Sequence, residues 1–136
     1  MHNLILVINP GSTSTKLAIF DNEQCLKETT LRHAPAELSK FTKVSDQLAY
    51  RKALITDFMR ANHYEFKQLK CIAARGGLLR PIKSGTYLVN DKMVVDLNST
   101  IYGEHASNLG AIIAYAYTQE YGMPSYVADP VVVDEL

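Results

Sequence analysis

The chain has 136 residues, 47% hydrophobic and 21% charged, which suits one soluble globular domain with a proper core. Its 14 basic and 14 acidic side chains cancel, so no net positive field argues for nucleic acid or an anionic membrane, and a small-molecule ligand is the better expectation. No apolar run reaches membrane-spanning length, and Met1-His2-Asn3 lacks the basic start of a secretory leader, so the expected location is the cytoplasm. Cys25 and Cys71 are far apart with no metal or redox spacing and read as buried or half-buried free thiols.

The apolar run Leu4-Ile5-Leu6-Val7-Ile8 is too short for a useful helix and suits a strand buried on both faces. Asn9-Pro10-Gly11-Ser12-Thr13-Ser14-Thr15-Lys16 breaks it, and Leu17-Ala18-Ile19-Phe20 resumes as a second strand. Such a turn sets backbone N–H groups, Asn9, Ser12, Ser14 and Lys16 within reach of one anion, a phosphate or a carboxylate. Position alone leaves a plain polar hairpin turn as good an account, because turns favour Asn, Pro, Gly and Ser.

Gln24 to Arg32 alternates in part, as a third and more exposed strand would, which completes an opening meander. Pro35 to Leu38 reads as a short helical start. Ser45 can cap a helix from about Asp46 to Asn62, with Leu48, Ile55, Phe58 and Met59 on its buried face and Arg51, Lys52 and Arg60 largely on the other, a helix with a scaffolding role. Cys71 to Ala74 is a buried strand ending at Arg75, where Gly76-Gly77 lets the backbone turn sharply. Gly85 to Val89 is a small strand and Asp91 to Leu97 a short helix; a loop over Tyr102–Ala106 then leads to a helix capped by Ser107, with Leu109, Ile112, Ile113, Ala116 and Tyr117 at helical spacing. That helix stops at Gly122 before Pro124, and Ser125 to Ala128 is a last strand with Asp129 at its C-terminal end, where open α/β sheets place ligands.

Four polar positions thus end strands or open a helix: Asn9, Arg75, His105 and Asp129. An arginine at a strand end offers a planar fork to a carboxylate or phosphoryl group, and a histidine before a helix can donate to a developing negative charge. Asp129 could hold Mg²⁺ directly or through water. Each has a plainer account: a surface ion pair for Arg75, a polar neighbour of the helix cap for His105, a turn start for Asp129 before Pro130.

Taken together and in order, these segments resemble a known family. Ile8-Asn9-Pro10-Gly11-Ser12-Thr13-Ser14-Thr15-Lys16 resembles the first signature of the acetate and butyrate kinases, within the acetate and sugar kinase, Hsp70 and actin superfamily, and lacks the Gly-x4-Gly-Lys spacing of a Walker loop. Arg75-Gly76-Gly77-Leu78-Leu79-Arg80-Pro81-Ile82 with Gly85-Thr86-Tyr87, Gly103-Glu104-His105-Ala106-Ser107-Asn108-Leu109-Gly110 and Asp129-Pro130-Val131-Val132-Val133-Asp134-Glu135-Leu136 resemble its butyrate-kinase branch. Acetate kinases instead carry extra residues, a histidine among them, between the arginine and the glycine pair, and His-Asn-Pro after an apolar residue near position 105.

The resemblance runs across nearly the whole chain. It implies an α/β fold of ribonuclease H-like (actin-like ATPase) type, a mixed sheet that opens with an antiparallel β-meander and is flanked by helices. It also implies transfer of the γ-phosphoryl of ATP to butyrate or isobutyrate, giving an acyl phosphate, and the reverse reaction from ADP. Arg75 would orient the carboxylate and touch the phosphoryl, His105 would donate to its oxygens, Asp129 would help fix Mg²⁺, and Asn9, Ser12, Ser14 and Lys16 would line the phosphate side. Glycines beside Arg75 would leave room for a longer or branched acid.

Residues 1–136 would then be the N-terminal acyl- and phosphate-binding domain, with the C-terminal nucleotide-binding domain absent and this chain alone inactive or nearly so. The surface meant for that domain would be uncovered and open to self-association as a homo-oligomer. Two other readings compete: an acetate or propionate kinase relative, and a non-catalytic anion-binding module or half of a split enzyme.

Overall fold

The computed structural model describes residues 3–75, 86–89 and 109–128. Within them the chain forms β1 (Leu4–Pro10), β2 (Ser14–Asp21), β3 (Gln24–Arg32), the one-turn helix α1 (Pro35–Leu38), α2 (Leu48–Ala61), β4 (Leu69–Arg75), β5 (Thr86–Leu88), α3 (Leu109–Tyr121) and β6 (Ser125–Ala128). The six strands make one mixed sheet in the order β3-β2-β1-β4-β6-β5. The expected meander β1-β2-β3 is antiparallel throughout, while β1, β4 and β6 run parallel. Parallel neighbours need a crossover, and α2 and α3 lie in the connections before β4 and β6.

The two long helices pack on one face of the sheet. Leu6 and Ile8 of β1, Leu17 and Ile19 of β2 and Ile72 of β4 point to that face, where they meet Ile55 and Met59 of α2 and Ile113 and Tyr117 of α3, all almost fully buried. Period-2 alternation in the strands and 3.6 periodicity in the helices give this one shared core. The other face is half-covered: Ile5, Val7 and Asn9 alternate with the buried residues of β1 and keep partial exposure, so β1 is not buried on both faces as its apolar run implies. β3 is the edge strand and is mostly exposed; Cys25 lies on it and is an exposed free thiol, whereas Cys71 is half-buried as expected.

Helix α2 departs from its sequence reading at two points. It begins at Leu48 behind a 3-10 turn (Val44–Gln47), and Gln47, without a side-chain cap, takes the place expected for Ser45. Arg51, expected on the solvent face, is 0% exposed. Lys52 and Arg60 do sit at or toward solvent. The second helix ends where expected, at Gly122, whose φ of 94° suits a residue without a Cβ. The helix expected over Asp91–Leu97, the Tyr102–Ala106 loop and the Ser107 cap lie outside the described residues.

α2 and α3 are tied to each other by polar contacts as well. The Tyr117 hydroxyl donates to the Lys52 carbonyl (2.8 Å) and meets Thr56 Oγ1 (2.8 Å), and Lys52 Nζ lies 2.8 Å from Glu120 Oε2. Phe66 stacks on Tyr117 and Tyr121, with ring centroids 4.3 and 4.8 Å apart. Burial pushes the Tyr117 phenol far above its ordinary range, so it acts as a neutral donor.

Candidate functional site

Parallel register brings the C-terminal ends of β1, β4 and β6 to one edge of the sheet. Ile8 pairs with Ala74, Ala74 with Val127 and Arg75 with Ala128, so the ends of all three strands sit beside the β1–β2 turn. Crevices at such an edge are where α/β sheets bind ligands. Asn9 and Lys16 face each other across β1 and β2, and Lys16 in turn pairs with Thr30 of β3. Directly paired residues share a face, here the face opposite the helices. With the next row, Val7, Ala18 and Glu28, they line an open concavity of about 340 Å³. Glu28 and Thr30 were not among the sequence candidates, because nothing but the register of β3 brings them there.

The turn itself is tighter than the sequence suggests. Asn9, Pro10 and Ser14 to Lys16 belong to the strands, leaving Gly11 to Thr13 as the connection, closed by a hydrogen bond from Gly11 N–H to Ser14 O (2.7 Å). Behind it lies Arg51. Its Nη1 donates to Gly11 O (2.8 Å), Ser14 O (2.9 Å) and Thr15 Oγ1 (3.2 Å), its Nη2 to Ser12 O (3.2 Å) and its Nε to Gln47 Oε1 (3.0 Å). In a planar trans peptide the C=O and the following N–H point opposite ways. Because the Gly11 and Ser12 carbonyls point at Arg51, the Ser12 and Thr13 N–H groups point away from it. Neither amide has an acceptor among the described residues, and both residues are exposed. A pair of adjacent outward N–H groups is an anion-binding arrangement.

Thr15 extends this network inward. Its oxygen accepts from Arg51 and lies 2.8 Å from His33 Nε2, and both residues are buried. Either partner can donate in that contact, because a hydroxyl oxygen can accept from Arg51 and from a second donor together. Nδ1 is buried with no partner among the described residues. Burial first, and then the nearby Arg51 charge, hold the His33 pKa below its ordinary value, so the ring is neutral at pH 7.

Of the residues singled out in the sequence, the structure brings together Asn9, Ser12, Ser14 and Lys16 around one turn, and places Arg75 at the end of β4 on the same sheet edge. His105 and Asp129 lie outside the described residues. Among the described residues no three His, Cys, Asp or Glu side chains converge as a metal site would need, and no helix is long and apolar enough to cross a membrane. Sequence reasoning missed Arg51, although its spacing, three residues after Leu48 and four before Ile55, places it in the buried stripe.

No family model matches the chain. Butyrate kinase 1 of Clostridium acetobutylicum is 50% identical over 132 residues, a stretch that covers 97% of this chain and 37% of that protein. A probable butyrate kinase of Enterococcus faecalis is 51% identical over 132 residues, covering 97% of this chain and 36% of its own length. The chain therefore spans little more than a third of the curated relatives it matches. Among solved structures, Porphyromonas gingivalis acetate kinase superposes with a TM-score of 0.59 at 12% identity, over 93% of this chain and 37% of that one. At that identity the superposition shows the fold: the mixed sheet with an opening meander is that of an acetate kinase.

Proposed function

We propose that this chain is the acyl- and phosphate-binding part of a carboxylate kinase that moves the γ-phosphoryl of ATP onto butyrate or isobutyrate, and back. The observation that carries the reading is the β1–β2 turn, two outward N–H groups beside Asn9 and Lys16 at the C-terminal edge of the parallel strands. The 50% identity to a butyrate kinase over nearly the whole chain supports the choice of acid.

The chemistry asks little covalent help of the protein. A carboxylate is ionised at pH 7, so one of its oxygens attacks the γ-phosphorus directly; that P–O bond forms as the bond to the β-phosphate oxygen breaks, and ADP leaves with the electron pair. What remains is to hold two anions in line and to neutralise the phosphoryl oxygens in flight. In this reading the Ser12 and Thr13 amides, Ser12, Ser14, Asn9 and Lys16 grip the nucleotide phosphates, Arg75 orients the carboxylate, and His105 donates to the transferring group. Removing one such preorganised donor lowers turnover by about 10²-fold. Mg²⁺ held with the help of Asp129 would add charge neutralisation on the phosphates. The adenosine pocket and a further share of the catalytic groups would come from the remainder of a full-length enzyme, since the relatives are nearly three times as long.

Hydroxylamine trapping of acyl phosphate from ATP, Mg²⁺ and a series of acids (acetate, propionate, butyrate, isobutyrate) tests this, for the chain alone and for the full-length protein that carries it. Activity in the full-length protein alone, with butyrate or isobutyrate preferred, is the expected result. Preference for acetate would overturn the substrate, and inactivity of both folded proteins would leave an anion-binding module instead. In the active protein, Arg75→Ala lowers turnover far more than stability; unchanged turnover would remove Arg75 from the site.

A further inference from the structure

A guanidinium buried beneath the phosphate turn is unusual for what it lacks. Every acceptor that the described residues offer Arg51 is neutral: three backbone carbonyls, the Gln47 amide oxygen and the Thr15 hydroxyl. The ion pairs among the described residues involve Lys40, Lys52 and Arg60 instead, and all of them lie on the surface. Burying a cation without a carboxylate partner is costly, and filling the space would not by itself need a charge. A packing role alone therefore does not account for a charge here.

We propose that Arg51 is a positioning residue for phosphate binding: it holds the Gly11 and Ser12 carbonyls inward so that the Ser12 and Thr13 amides face out, and its unbalanced charge adds to their attraction for an anion. The geometry requires both parts. Each carbonyl taken by the guanidinium fixes one peptide plane, and each fixed plane aims one N–H. The peptide dipoles aligned between the guanidinium and the outer surface carry the positive potential to the side where the amides emerge. Lysine cannot substitute, because a single ammonium lacks the planar fork that spans Nη1 and Nη2 over three carbonyls. Thr15 and Gln47 hold the guanidinium in turn, one at each side.

The proposal rests on the reading of the turn as the nucleotide-phosphate side of a kinase, and its test separates the two. Arg51→Lys and Arg51→Ala are made in the full-length protein, with ATP and butyrate kinetics measured per folded molecule. In parallel, inorganic phosphate is titrated while the Ser12 and Thr13 amide resonances are followed. The expected result is a KM for ATP raised about tenfold and turnover lowered about 100-fold, the scale on which misplaced groups lose rate, with the KM for butyrate within about threefold. Phosphate should shift both amides in the parent protein and neither in the variants. Loss of folded molecules alone cannot produce this, because it leaves KM and the amide response of the folded fraction unchanged.

An unchanged KM for ATP together with an unchanged phosphate response would overturn the proposal and leave the kinase reading standing. Inactivity of the parent protein with every acid would overturn the kinase reading, and phosphate then decides: shifts lost in Arg51→Lys support the proposal, and no shift in the parent protein overturns it. Should Arg51→Ala fail to fold, Arg51→Lys carries the same readouts.

Discussion

The two halves of α2 face the same sheet and do different work there. Toward its C-terminus, Ile55, Phe58 and Met59 bury apolar surface against β1, β2 and α3, and any well-packed hydrophobic set of the right volume would serve. Toward its N-terminus the same stripe presents Arg51, which is fully buried and gathers the carbonyls of one turn. The first half secures the helix by area, the second secures a loop by direction. A single amphipathic stripe can therefore hold both a scaffold and the support of a site, and the division falls between positions 51 and 55.

The sharpest way to break this contrast is at Arg51 itself. Arg51→Met keeps an apolar stem but leaves the Gly11, Ser12 and Ser14 carbonyls without their buried donor, which is expected to lower stability by about 3–5 kcal/mol in all, since each acceptor left without a partner costs about 1–3 kcal/mol. Urea unfolding measures it; a loss below about 1 kcal/mol would show that water or a local rearrangement satisfies the turn. At the apolar half, Ile55→Ala should cost about 2–5 kcal/mol through lost burial and the cavity left behind. Unlike Arg51→Met, it should leave the phosphate response of the Ser12 and Thr13 amides unchanged.

A third test uses pH, which should touch only the polar half. The His33 pKa is lowered in the folded protein, so the unfolded chain binds the extra proton first as pH falls below the ordinary value of about 6.5. Its contribution is therefore fully present above that pH and is lost as acidification proceeds toward the folded pKa. The urea midpoint of the parent protein should drop between pH 7.5 and 5.5 more steeply than that of His33→Gln; equal slopes would show that His33 does not titrate with folding. The smallest effect is expected at the surface link between the helices. Lys52→Ala removes the ion pair with Glu120 and should cost less than about 1 kcal/mol, a difference that salt erases.

Much of this architecture can be read from residue order. The strands at Leu4, Leu17, Gln24 and Ser125 and both long helices show in apolar spacing and in the breaks at Pro10, Gly122 and Pro124, since each depends on neighbours in sequence. The sheet order and the pairing of Asn9 with Lys16 and Thr30 depend on register between distant strands, so Glu28 and Thr30 could not be placed beside the site beforehand. Arg51 is a different kind of miss. Its position obeyed the buried periodicity, but its charge argued for solvent, and only the partners it finds on the turn reconcile the two. Cys25 reverses that error: a residue type usually buried lies on an exposed edge strand, where its own neighbours Glu23, Gln24, Lys27 and Glu28 already read as surface.

The contacts of Arg51 also bear on the order in which the molecule assembles. The β1–β2 hairpin needs only a short loop to close, an event of microseconds, whereas Arg51 reaches the turn across 36 to 40 residues of chain. A hairpin formed early thus has its strands paired but its peptide planes unset until α2 docks. If the turn holds a phosphate as proposed, that competence arrives only with the docking of α2 and goes when the helix loosens.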